Sequence, residues 1–236
     1  MSRAKWRADM STNIDLSGLQ VLVVDDEEFY RGLVVRLLRS LSIEGIAEAV
    51  DGATALQALE RRPDLVILDV MMEPMNGLKF LKAVRMGMSS APRDLPIIIL
   101  TGSSDEAVMG ASLALDCDAF VQKTDGRDVI EDRIVRVTTT TREVKDAPVY
   151  QSVRLPEVAV PVSSDPAVSG ADRPSGISRD VPIYEVEPGA VLDRDLLTPE
   201  GHLLMAAGTR LAQRDIDRLD DISEIVDLPD LRIRGA

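Results

Sequence analysis

Five polar residues that lie within two positions of the ends of short apolar runs are the features of this sequence with the clearest chemical use. Asp25 and Asp26 follow QVLVV, Asp69 follows DLVIL, Thr101 follows PIIIL, and Lys123 comes after DAFV. Three carboxylates in one crevice repel one another, and a hard cation such as Mg²⁺ relieves that repulsion. A carboxylate in such a pocket can attack phosphorus and form an acyl phosphate. An ammonium and a hydroxyl can then stabilise the transferred oxygens.

Alternating strand-like and helix-like segments must bring these residues together. Continuous apolar strands joined by amphipathic helices favour an α/β fold, a doubly wound parallel sheet with helices on both faces. In such a sheet the carboxyl ends of the strands border one crevice. Strands are predicted at 20–24, 43–50, 64–68, 96–100 and 118–121, and helices at 28–41, 52–61, 77–86, 104–115 and 128–140.

Four segments of this first part resemble the receiver domain of bacterial two-component response regulators, which has a five-stranded flavodoxin-like fold. The segments are VLVVDDEE, PDLVILDVMMEPMNGLKFLKAVR, PIIILTG and DAFVQK. The resemblance defines a domain at residues 19–141. It implies that Asp69 is the phosphoacceptor, and that Asp69, Asp25, Asp26 and the backbone carbonyl of Met71 hold Mg²⁺.

The resemblance also implies how the signal leaves the site. Thr101 and Lys123 would bind the phosphoryl group, and Thr101 and Phe120 would act as switch residues. The sequence departs from the family pattern at two positions: Thr124 follows the lysine where proline is usual, and Glu73 stands where proline is usual after the acceptor. Both departures are expected to alter the shape of the loops and the lifetime of the phosphoryl group.

The function implied is a phosphorylation-dependent response regulator without enzyme activity of its own. A sensor histidine kinase or a phosphotransfer protein would donate the phosphoryl group. A downstream protein would bind the face formed by the fourth helix, fifth strand and fifth helix. The net charge of −13 disfavours nucleic acid as a partner. The polar start and the lack of a long apolar run predict a cytoplasmic protein without a membrane span.

Three other hypotheses can be distinguished from the sequence. A receiver-like scaffold or adaptor that never cycles is motivated by Glu73 and Thr124. A phosphatase normally needs a second acid two residues after its nucleophile, and Met71 stands there. A transcription factor needs a helix-turn-helix and a basic face, whereas residues 181–236 carry 6 basic and 12 acidic side chains. The single histidine, His202, excludes a zinc site with two histidine ligands.

The rest of the chain is predicted to comprise a flexible tail at 1–18, a Pro/Ser-rich linker at 142–180 and a small β-rich docking or dimerisation module at 181–236. The segment EPGAVLDRDLLTPEGHLLMAAGTRLAQRDIDRL resembles a short β-rich element found beside HD-GYP and other HD-related signalling modules. Gly189, Gly201 and Gly208 are expected to adopt positive φ in turns. Strands are predicted at 181–186, 191–197, 202–205 and 222–228, with a helix at 213–219.

Overall fold

The computed structural model of the chain describes residues 14–102, 105–156 and 178–234. Most of the predicted N-terminal tail, and the part of the predicted linker from 157 to 177, lie outside these residues.

A five-stranded parallel sheet forms the first part of the chain, as the sequence predicts. The strand order is β2-β1-β3-β4-β5, so β5 lies at one edge. Because β1 and β3 are neighbours, Val24 pairs with Leu68, and the residues after both strands reach the same sheet edge. The strands are β1 (Gln20–Val24), β2 (Gly45–Ala49), β3 (Leu65–Asp69), β4 (Ile97–Thr101) and β5 (Ala119–Gln122).

Helices alternate with these strands, and side-chain caps fix where several of them begin. The Asp51 carboxylate accepts a hydrogen bond from the Thr54 N–H at 2.7 Å, and the Asn76 side chain accepts one from the Lys79 N–H at 3.0 Å. Such caps satisfy N–H groups that lack a partner inside the helix. The helices are α1 (Glu28–Ser40), α2 (Gly52–Ala58), α3 (Gly77–Arg85), α4 (Glu106–Ala114) and α5 (Arg127–Thr139).

Apolar side chains cover the sheet on both faces. Leu22, Val24 and Leu68 are buried on one face, and Val21 and Val23 are buried on the other. Successive strand residues point to opposite faces, so a sheet buried on both sides needs unbroken apolar strands. In β1, β3 and β4 the polar residues are therefore confined to the strand ends.

Residues 142–156 differ from the predicted linker, because they pack against the sheet domain. They include α6 (Ala147–Ser152), whose Tyr150 side chain is fully buried. The Tyr150 hydroxyl donates to Asp116 Oδ2 at 2.8 Å and accepts from the Lys145 N–H at 2.8 Å. One buried aromatic ring with a satisfied hydroxyl therefore anchors this segment.

Residues 178–234, here called the C-terminal module, form two small antiparallel pairs and one helix. The strand predicted at 202–205 is confirmed at Leu203–Met205, as are the positive φ values of the three glycines, +95°, +89° and +82°. The predicted strand at 222–228 is wrong, because the helix continues to Ser223 and the last strand comes later. The elements are β6 (Ser178–Val181), β7 (Leu196–Leu197), β8 (Leu203–Met205), α7 (Gln213–Ser223) and β9 (Leu231–Arg234).

Other strand predictions in the C-terminal module hold only in part. Residues 183–185 form a short 3₁₀ turn instead of continuing a strand, and Val191 and Leu192 make isolated bridges ahead of β7. None of the helices in the described ranges has both the length and the apolar character that crossing a bilayer requires.

Replacing Tyr150 by phenylalanine tests the anchor of residues 142–156. Tyr150→Phe leaves the buried Asp116 carboxylate and the Lys145 N–H each short of one partner, and we expect the free energy of unfolding to fall by about 1–3 kcal/mol. Urea denaturation measures this change. Tyr184→Phe is the matched control, because Tyr184 is 69% exposed, and an equal loss in both variants would contradict the assignment.

Tyr150 also makes the stability of the folded chain depend on pH. Burial, together with the hydrogen bond to Asp116 and its charge, raises the pKa of Tyr150 from 10.0 to about 12. Unfolded chains therefore lose this proton at lower pH than folded ones, so the contribution of Tyr150 to stability is full below about pH 10 and is lost as the pH approaches about 12. In urea denaturation, the difference in the free energy of unfolding between wild type and Tyr150→Phe should narrow across this range. A difference that widens would contradict the hydrogen bond between Tyr150 and Asp116.

Candidate functional site

Three carboxylates meet at the carboxyl edge of the sheet. Asp25 and Asp26 follow β1, and Asp69 is the last residue of β3; one oxygen of each lies within 4.8 Å of the others. Asp25 and Asp69 are buried, whereas Asp26 is exposed. The parallel neighbours β1 and β3 thus bring together three of the residues that the sequence analysis singled out.

The Lys123 ammonium supplies a positive charge to this cluster. Its Nζ lies 2.9 Å from Asp25 Oδ2 and 3.2 Å from Asp69 Oδ2. It also lies 4.6 Å from the centre of the Tyr30 ring, within the range of a cation–π contact. Lys123 follows β5 directly, and its N–H donates to the Thr101 carbonyl at 2.8 Å. This hydrogen bond continues the pairing of β4 with β5 as far as the site.

The pKa values reflect an excess of negative charge in a buried place. Burial raises the pKa of Asp69, and the charge of Asp25 raises it further, while Lys123 opposes both. Burial alone would lower the pKa of Lys123, but its hydrogen bonds and charge pairs with Asp25 and Asp69 outweigh this, so its pKa is raised. One ammonium does not balance three carboxylates, so a further cation would stabilise the cluster.

Main-chain N–H groups hold the two buried carboxylates in fixed orientations. Asp69 Oδ1 accepts from the Met71 N–H at 3.2 Å, and Asp25 Oδ1 accepts from the Glu27 N–H at 2.8 Å. The Arg31 guanidinium donates to the Asp25 carbonyl at 2.8 Å. The positions of both carboxylates are therefore set by the backbone of the loops that follow their strands.

A glycine lets the loop after Asp69 return close to its own start. A Cβ atom on Gly77 would lie 2.2 Å from the Asp69 carbonyl oxygen and 2.9 Å from the Val70 Cα atom. The Gly77 N–H donates to the Val70 carbonyl at 3.1 Å. The first turn of α3 therefore packs directly against the backbone that carries the Asp69 carboxylate.

The other predicted site residues have different positions. Thr101 is the buried last residue of β4, on the strand between β3 and β5. Met71 is half-exposed just after Asp69. Phe120 is buried on β5, and its N–H donates to Asp221 of the C-terminal module at 3.0 Å.

Sequence reasoning missed several residues that shape the site and its surroundings. Tyr30 and Asp221 gave no usable signal, because their contacts join segments far apart in the chain. Gly77 did give one, since an asparagine cap followed by glycine at the start of a helix is visible in the sequence.

The donor set fits a divalent cation. Carboxylate oxygens are the hard ligands that Mg²⁺ prefers, and two of the three belong to carboxylates already oriented by N–H donors. The Lys123 ammonium also lies against this cluster, so the cluster attracts positive charge. Asp25, Asp26 and Asp69 are therefore the residues that could hold the ion.

A parallel sheet with an acidic crevice and a lysine at its carboxyl edge defines a flavodoxin-like receiver fold. Residues 21–135 match the family described as the response regulator receiver domain. This part of the chain is a receiver domain of a two-component response regulator.

Curated relatives include the protein-glutamate methylesterase/protein-glutamine glutaminase of Bacillus licheniformis, 30% identical over an alignment of 168 residues that covers 65% of this chain and 44% of that protein. Response regulator MprA of Mycobacterium leprae is 32% identical over 140 residues, 58% of this chain and 57% of that protein. The chain thus spans about half the length of these relatives. Among solved structures, the chemotaxis protein CheY4 of Vibrio cholerae is 30% identical, with a TM-score of 0.46, and the match covers 50% of this chain and 98% of that one.

Replacing Gly77 by alanine tests the close return of the loop. The added methyl group meets backbone atoms that cannot rotate away, so we expect Gly77→Ala to lower the free energy of unfolding by about 1–3 kcal/mol. Gly18→Ala is the control, since a Cβ at Gly18 meets nothing within 4 Å. Urea denaturation compares the two variants, and a Gly77→Ala protein as stable as the control would refute the packing described.

Proposed function

We propose that this chain is a phosphorylation-dependent response regulator in which Asp69 accepts a phosphoryl group in the presence of Mg²⁺. The observation that carries the proposal is the Lys123 ammonium, which lies 2.9 Å and 3.2 Å from the buried carboxylates of Asp25 and Asp69. A buried acid, a neighbouring cation and a cluster of metal-type ligands at one strand edge are the parts that phosphoryl transfer to a carboxylate requires.

The reaction proposed is a transfer from a phosphohistidine of a sensor histidine kinase or phosphotransfer protein. A carboxylate oxygen of Asp69 attacks phosphorus, a new P–O bond forms, the P–N bond breaks, and the leaving imidazole takes a proton from solvent. Lys123 and the Thr101 hydroxyl bind the transferred oxygens. Mg²⁺, held by Asp25, Asp26, Asp69 and the Met71 carbonyl, would neutralise charge on those oxygens.

The proposed organisation is a receiver domain at residues 19–141 and a docking or dimerisation module at 181–236. Output occurs by protein–protein contact on the surface of α4, β5 and α5, with Phe120 and Thr101 as the switch residues. The acidic excess of the chain supports a protein partner over nucleic acid. We propose no enzyme activity beyond acceptance of the phosphoryl group.

Acetyl phosphate with Mg²⁺ tests the acceptor. We expect the wild-type chain to gain the mass of one phosphoryl group and Asp69→Asn to gain none, because an amide is too weak a nucleophile to attack phosphorus. Asp94→Asn is the control, since Asp94 is an exposed carboxylate, and it should label like the wild type. Intact-protein mass spectrometry reads the result, and chelating Mg²⁺ should abolish labelling.

Two outcomes would count against the proposal. Labelling that persists in Asp69→Asn would assign the acceptor to another residue. No labelling of the wild type, together with no binding of Mg²⁺ and beryllofluoride, would favour the hypothesis of a receiver-like scaffold that does not cycle.

A further inference from the structure

The C-terminal module packs on the receiver surface formed by α4, β5 and α5. Its apolar residues belong to the same buried cluster as those of α4 and β5. On α4, the Glu106 carboxylate accepts from the Glu200 N–H at 2.8 Å. Beside β5, the Arg214 guanidinium donates to the Asp116 carbonyl at 3.0 Å, and Arg218 donates to the Cys117 carbonyl at 3.0 Å. The module therefore covers the surface through which the receiver domain is proposed to signal.

Asp221 on α7 is the centre of this contact. Its buried carboxylate, 2% exposed, accepts from the Phe120 N–H of β5 at 3.0 Å. It also accepts from Arg136 at 3.0 Å and 2.5 Å, and Arg133 Nε lies 2.8 Å from its Oδ1. One carboxylate thus joins the module to both β5 and α5, and losing it would leave buried donors without their acceptor.

Gly110 on α4 lets the module approach this helix closely. A Cβ atom at this position would lie 2.8 Å from the Leu203 carbonyl oxygen and 3.7 Å from the Leu203 carbonyl carbon. Glycine in a helix interior costs about 1 kcal/mol relative to alanine. The described surroundings of Gly110 give one reason for it, the close approach of β8 of the module.

The contact is also built on the elements that end in the phosphoacceptor site. Phe120 lies on β5, three residues before Lys123, which directly follows this strand and contacts Asp69. Helix α4 follows Thr101 at the end of β4. A displacement of Lys123 or Thr101 toward a group on Asp69 would therefore act directly on β5 and α4, which hold the module.

We propose that the C-terminal module is a built-in cap on the α4–β5–α5 surface, held by Asp221 and Gly110, and that a phosphoryl group on Asp69 weakens this contact. The inference rests on the proposed function of Asp69. In this proposal, the receiver domain binds a segment of its own chain first. The output of phosphorylation is then the exposure of the α4–β5–α5 surface. The contact combines a shared apolar core with buried charge pairs at Asp221. A displacement of β5 or α5 that separates these pairs would leave buried charges without partners and so weaken the contact.

Amide hydrogen exchange on the full chain tests the contact itself. Gly110→Ala, whose added methyl group meets the Leu203 carbonyl oxygen, and Asp221→Asn, which removes the charge from the hydrogen bonds with Arg136, should each speed exchange in peptides from β8, α7 and β5 by about tenfold or more. Gly126→Ala, where a Cβ meets nothing within 4 Å, and Asp227→Asn, at an exposed acid, are the controls. Circular dichroism checks that the variants stay folded. Unchanged exchange in both folded variants would overturn the proposal.

Beryllofluoride with Mg²⁺, a mimic of the phosphoryl group, tests the coupling. The expected result is faster exchange in the same peptides of the wild type and no response in Asp69→Asn. Occupancy of the site is followed separately, by protection of the peptide that spans residues 66–76. Protection there without faster exchange in the module would overturn the cap and leave the function of Asp69 standing. Absence of that protection would overturn both.

Discussion

The edge position of β5 is the constraint on which both halves of the molecule depend. An edge strand has outward N–H groups for which no neighbouring strand supplies a carbonyl acceptor. A protein must cover these groups or provide them with another hydrogen-bond acceptor. Here the Phe120 N–H donates to Asp221, and the Gln122 N–H donates to Asp125 at 2.7 Å. The C-terminal module therefore supplies the receiver domain with an acceptor that its own sheet lacks.

The two ends of β5 meet opposite electrostatic environments. Beyond its carboxyl end, Lys123 contacts the carboxylates of Asp25 and Asp69. At its amino end, the Asp116–Asp118 turn is surrounded by arginines, and the Arg85 side chain donates to Asp118 at 3.0 Å while it is fully buried. A short strand thus links an acidic site to a basic one, and both charge clusters fix its position along the sheet.

The receiver elements could be predicted from sequence because their signals are local. An unbroken apolar run marks a buried strand, and the polar residue that ends it marks the crevice. The elements of the C-terminal module were harder to predict from the sequence. Ile222 looked like the start of a strand, but it lies on the buried face of α7 with Ile216 and Leu219. The roles of Asp221 and Tyr150 were beyond reach, since each depends on partners that only the tertiary structure brings near.

Covalent connection changes what the contact between the module and the receiver domain must achieve. A segment of the same polypeptide meets its surface at an effective concentration that is of millimolar order for short tethers. A contact too weak to hold two separate molecules together can therefore keep the surface covered, whatever the dilution of the protein. Any outside protein that binds the α4–β5–α5 surface competes against this local concentration. The affinity measured for it would therefore depend on the fraction of molecules in which the contact of Asp221 with β5 is open.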